Sequence, residues 1–187
     1  MGFSDLSMRA RVAAAVLAVL AALAVAVAAS STARAGGGCD EGQTTFKFDV
    51  PDGVTLKPTH GAVKRGPSKI VMSNCGGNFD PATGVGSISL IGGVNFKFDN
   101  NRGPTGDYRI RFGGVGKLRA RVVGSPANIA KVSGGDLSQD PSGGATLDNA
   151  NVKLTTKGAN LLNKAVESDD GPFEAGGFGK VSTVVEP

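Results

Sequence analysis

The chain has 187 residues, with 20 Lys and Arg against 16 Asp and Glu, one His, one Tyr, two Cys and no Trp. A single His removes most His-dependent catalytic triads, no G-x-S-x-G accompanies it, and a zinc site lacks ligands. One Tyr and no Trp leave no aromatic interleaving on which nucleic-acid bases stack, so enzymes, metal centres and nucleic-acid binders are all disfavoured.

Residues 1–35 have the three parts of an export signal. Arg9 and Arg11 are followed by the apolar run Val12–Ala29 and the small-residue triplet Ala33–Ala35. The run is just long enough to span a bilayer, which leaves a retained anchor as the alternative. The A-x-A triplet favours cleavage after Ala35, so the protein is expected to be secreted, extracellular or at the cell surface, and to meet the membrane only through its signal. What remains, 36–187, is about 150 residues and suits one domain. The signal removes more basic than acidic residues, so no global basic field is expected.

Cys39 and Cys75 are the only cysteines. In an exported chain such a pair reads as a disulfide, and neither C-x-x-C spacing nor a neighbouring His supports a redox or metal-binding pair. The bridge would close a loop of about 37 residues and add roughly 3–4 kcal/mol on the chain-entropy account.

The body of the chain alternates with period two. In "GSISLIGGVNFKFD" (Gly86–Asp99), Ile88, Leu90, Val94, Phe96 and Phe98 share one face, and the Gly92-Gly93 pair marks a bulge or bend. A turn, "NNRGPTG", then leads to "DYRIRF", with Tyr108, Ile110 and Phe112 inward, and "KLRARVV" returns with Leu118, Ala120 and Val122 inward. Further strands are predicted at Thr44–Val50, Lys69–Met72, Asn128–Val132 and Thr146–Leu154. "FKFD" occurs at Phe46 and again at Phe96, but aromatic–charged–aromatic describes any half-buried strand. Thr155 or Thr156 can cap a helix whose buried stripe is Ala159, Leu162, Ala165 and Val166, and Phe178–Val185 closes the chain as a strand. The fold class is therefore all-β, a β-sandwich or a strongly curved antiparallel sheet, with one short C-terminal helix over its core.

The same alternation turns Arg109, Arg111, Lys117, Arg119 and Arg121 outward on one face, with Lys97 a strand away. Such a stripe is either an anion site, with Arg as a forked donor, or a solvated face with acids from a neighbouring strand beside it.

The order of meander, "LTTKGANLLNKA" (Leu154–Ala165), "FEAG" (Phe173–Gly176) and final strand resembles the HtaA-type domain, from about Gly84 to Val185. That resemblance implies a secreted or surface-attached bacterial β-domain associated with haem, whose iron ligand is a Tyr in an aromatic-rich opening segment. Here the opening, "CDEGQTTFKFDVPDG", has neither Tyr nor Trp, so no family ligand maps onto it. The axial candidates left are Tyr108 and His60. Tyr108 is otherwise a core or rim side chain, and His60 a solvated loop residue. If they met across a pocket, Lys64, Arg65 and Lys69 could reach propionates. Two functions follow: a non-catalytic module for haem or another small anionic ligand or cell-wall component, or a structural surface protein with no ligand. A pocket flanked by the arginines, Tyr108 or His60 would separate them.

Overall fold

The structure, a computed structural model, describes residues 42–187 apart from 114, 115 and 169. The expected leader, its cleavage point and Cys39 lie outside the described residues. The strands are β1 (Gly42–Phe48), β2 (Val54–Thr59), β3 (Val63–Lys64), β4 (Lys69–Gly77), β5 (Gly86–Ile91) and β6 (Gly93–Phe98). They continue as β7 (Asn101–Phe112), β8 (Gly116–Val122), β9 (Ser125–Ser133), β10 (Asp136–Gln139) and β11 (Ala145–Leu154). Helix α1 (Thr156–Ala165) and β12 (Gly176–Val185) complete the fold.

Neighbours pair in the order β7-β5-β4-β1-β12-β11-β9-β8, and β8 pairs back onto β7. One antiparallel sheet thus closes into an eight-stranded barrel. Of the two architectures expected, the curved sheet is the one formed, and a sandwich of two facing sheets is not. Closure leaves no open edge in the ring, and a barrel of eight strands is just wide enough for side chains to fill it. β6 and β2 branch from the first half of β7, while β10 pairs β11 and β3 pairs β4.

The interior follows from the alternation. Phe46 and Tyr108 meet across it with ring centroids 5.7 Å apart, and Phe48, Phe96, Phe173 and Phe178 form an aromatic cluster. The buried polar side chains Thr44, Asn74 and Thr183 are bonded to one another. Thr44 donates to Asn74 Oδ1 at 2.7 Å and receives from Thr183 at 2.8 Å, while Asn74 Nδ2 donates to Val184 O at 2.7 Å.

Helix α1 matches its prediction. Thr155 caps it, accepting from Gly158 N at 2.9 Å, and Ala159, Leu162, Ala165 and Val166 are buried. Asn163 clamps the returning chain, donating to Phe173 O and accepting from Phe173 N, both at 2.9 Å. That clamp sets Phe173 into the aromatic cluster.

Two expectations change. The segment "NNRGPTG" is not a turn: only Asp99 and Asn100 turn, with Asp99 at φ +51°, and Asn101 already pairs Phe98. A two-residue hairpin suffices because Asp tolerates the left-handed region. Val54–Thr59 forms a strand that Pro58 and the flanking glycines concealed, pairing β6 in full register. The repeated "FKFD" falls on a ring strand, β1, and on the branch strand β6, and Phe48 packs edge-on against Phe96.

Candidate anion-binding site

The outward face of β7 and β8 is set by an irregularity. Gly106 pairs Arg121 and Arg109 pairs Arg119, so β7 carries one extra residue between them. Asp107 sits at the bulge with φ +48°. Before the bulge, Gly103 and Thr105 face inward; after it, Tyr108, Ile110 and Phe112 do. The bulge therefore reverses the parity of the strand and turns Arg109 and Arg111 out.

On this face lie three adjoining depressions of about 520, 420 and 320 Å³. Arg109, Arg111, Lys117 and Arg119 line the first, with Asn78, Ser87 and Asn128. Arg109 and Arg119 continue into the second, which also takes in Arg121 and Asp107, and those two pass into the third, where His60 stands. Val85 and Ile91, 50% and 43% exposed, form apolar shoulders along the trough.

Arg109 is held in place. Its Nη2 donates to Ser87 Oγ at 2.9 Å, and Ser87 donates to Asn78 Oδ1 at 2.7 Å, which also accepts from Ser87 N at 3.1 Å. The loop beneath is tied by Asp80, whose carboxylate accepts from Thr83 Oγ1 and Ala82 N. Those bonds, the Thr83 hydroxyl first, hold the Asp80 pKa below its ordinary value. Gly86 is obligatory at the crossing: at φ +136°, a Cβ there would stand 2.1 Å from Asn78 O.

Like charges face one another across the strands. Arg109 is opposite Arg119, and Arg111 opposite Lys117. Among the described residues the one ion pair is Arg121–Asp107, at 2.6 Å, with Arg121 also donating to Gly124 O at 2.9 Å. Arg121 is thus largely committed. The other four cations have no carboxylate within 4.0 Å among the described residues, so their charges face the cavity without a counter-charge.

Tyr108 and His60 are not brought together. Tyr108 is 1% exposed, and its hydroxyl is bonded to Thr105 inside the barrel. Thr105 spends its own proton on Val94 O at 2.8 Å, so the Tyr108 hydroxyl is the donor. Burial pushes the phenol pKa far up, because the phenolate would be left without water. His60 is exposed on the turn after β2, with φ +52°. Lys64 donates to Leu56 O at 3.0 Å, and neither it nor Arg65 nor Lys69 lines the trough. Cys75 lies half-buried on β4, and no described cysteine is free.

The residues that sequence reasoning missed are Asn78, Ser87 and Asn128. Alternation sends Ser87 outward, yet Arg109 covers it to 7% exposure. A small polar residue among outward positions is too common a signal to single it out.

No protein-family model matches the chain, and no curated protein matches it. Among solved structures it is similar to the C-terminal domain of HtaA from Corynebacterium glutamicum, at 18% identity and TM-score 0.53, over 77% of this chain and 98% of that one. The N-terminal domain of the same protein is similar at 16% identity and TM-score 0.51, over 78% and 98%. A domain-swapped dimer of a variant of the C-terminal domain gives 19% and 0.51, over 71% and 83%. The chain has the fold of the HtaA domains.

Proposed function

We propose that this HtaA-fold chain is an exported, non-catalytic binding module whose arginine-lined cavity takes a small ligand bearing carboxylates or phosphates. The observation that carries this reading is the set of four cations, Arg109, Arg111, Lys117 and Arg119, converging without acids on one cavity, with Arg109 already oriented by Ser87 and Asn78. A preoriented guanidinium loses less freedom on binding an anion than a free one.

Haem is the ligand that the fold suggests, and the site fits it in part. Its propionates match the cations, and Val85 and Ile91 offer apolar contact to a flat ring. Its iron has no ligand at the cavity, because the Tyr108 hydroxyl is bonded inside the core and His60 stands at the far end of the trough. Recognition is therefore assigned to the carboxylates. The pairing of Cys39 with Cys75 belongs to the same reading, as the tie that pins the exported N-terminus to β4.

Calorimetric titration with iron-free protoporphyrin and with its dimethyl ester tests the proposal. The acid is expected to bind and the ester not to. Arg109→Gln together with Arg119→Gln is expected to weaken the acid roughly tenfold or more, one charge-assisted bond being worth about 1.5–3 kcal/mol. Equal binding of acid and ester would overturn recognition through the carboxylates, and binding of neither would favour a structural surface protein without a small ligand.

A further inference from the structure

We propose that the outer wall of the barrel is a track for a flexible, unbranched phosphate polymer. Lys131 on β9 lies opposite Lys117 of β8 on one side and Lys153 of β11 on the other, and Arg111 of β7 extends the row beyond Lys117. On the other half of the ring, Lys47 of β1 lies between Lys180 of β12 and Lys69 of β4. The partner of Lys180 on β11 is Asn151, two positions from Lys153 on the same face. The two rows therefore meet at β11 and cross every ring strand but β5.

All of these side chains are exposed, and among the described residues none has a carboxylate partner. Few acids share this wall. Within the strands they are Asp107, Asp136 and Asp148 alone, while the rest of the described acids occupy turns, the segment after α1 and the C-terminal end. A formal net charge of +4 conceals this separation of a cationic wall from acidic loops. Like charges on adjacent strands oppose folding, and every in-register pair in the row repeats that cost.

Shape decides the kind of partner. A flat membrane touches only one side of a closed, convex wall, whereas the cations continue round it. Duplex DNA, with a persistence length of about 50 nm, cannot follow so tight a curve. Among the described residues the exposed large apolar side chains are Val63, Val85, Ile91, Val123, Leu137 and Val184, with no aromatic among them on which single-stranded bases stack. What fits is a bendable chain read through its phosphates alone, whether inorganic polyphosphate or a polyol-phosphate.

The experiment measures binding of the purified protein to long-chain polyphosphate and to a glycerol-phosphate polymer across a salt series, which also separates those two sources. Two variants probe opposite halves of the wall: Lys131→Gln with Lys153→Gln, and Lys47→Gln with Lys180→Gln. None of these residues lines the arginine cavity, so failure of the small-ligand reading, seen in the Arg109 variant, is distinguishable from failure here. Each pair is expected to weaken polymer binding severalfold and to lower the slope of log affinity against log salt by about one to two. Both variants are expected to melt no lower than the parent, so that lost binding is not lost folding. The proposal is overturned if either pair leaves affinity and slope unchanged. It is equally overturned if phosphatidylglycerol vesicles or a DNA duplex bind as tightly as the polymers.

Discussion

Tyr108 gives its hydroxyl proton to Thr105 inside the barrel, and the consequence is measurable because the chain has no other tyrosine. The folded protein holds the phenol proton well beyond the ordinary value of 10.0, chiefly because burial disfavours the phenolate. The unfolded chain releases it near that ordinary value. The folded state thus binds more protons in alkali, and stability is full below pH 10.0 and declines as pH rises above it. Ultraviolet titration is expected to show no phenolate until the protein unfolds; a phenolate band appearing near pH 10 with the fold intact would contradict the burial. Tyr108→Phe removes one buried hydrogen bond and is expected to cost about 1 kcal/mol in a urea melt. The inward side of Tyr108, Ile110 and Phe112 is legible from alternation, but that of Thr105 is not. Nothing in "GPTGDYR" announces the extra residue at Asp107, because the bulge exists only relative to the partner strand, β8.

At the scale of the element, α1 shows how packing overrides propensity. Alanine is a better helix former than glycine by about 1 kcal/mol, so Gly158→Ala would stabilise this helix in isolation. In the fold, a Cβ at Gly158 would stand 1.9 Å from Ile129 O, and that neighbour is backbone. Gly158→Ala is therefore expected to destabilise by roughly 2–4 kcal/mol, because the helix must lift from β9. Thr155→Ala is expected to cost about 1 kcal/mol through loss of the cap, somewhat more if Ile129 O then lacks the 3.1 Å bond from the Thr155 hydroxyl. Thermal melts of both read the difference, and a Gly158→Ala protein more stable than the parent would refute the close approach. This element is legible in the sequence because cap, stripe and breaker are local. β2 was not, since Pro58 and the loop-like glycines around it hide a strand that forms only against β6.

At the scale of the whole molecule, closure is what the sequence could not announce. The barrel is sealed by pairs as distant as Gly42 with Val185 and by the contact of β7 with β8, and period two is the same in a flat, sandwiched or closed sheet. Closure also gathers a modest excess of cations onto a convex wall that carries few acids. That arrangement works against folding. Arg119→Gln, which relieves the pair with Arg109, is expected to raise stability by about 0.2–1 kcal/mol. Added salt is expected to raise the melting temperature of the parent more than that of the variant, as repulsion is screened over about 10 Å at 0.1 M. A variant less stable than the parent would mean that the arginines are compensated after all.

The most direct test of the central claim is a haem titration of the purified protein followed by visible absorbance, repeated on Arg109→Gln and on Tyr108→Phe. Recognition through carboxylates predicts a saturable response in the parent that is weakened in Arg109→Gln and kept in Tyr108→Phe. A response lost in Tyr108→Phe and kept in Arg109→Gln, or a parent response no different from that of free haem, would contradict it.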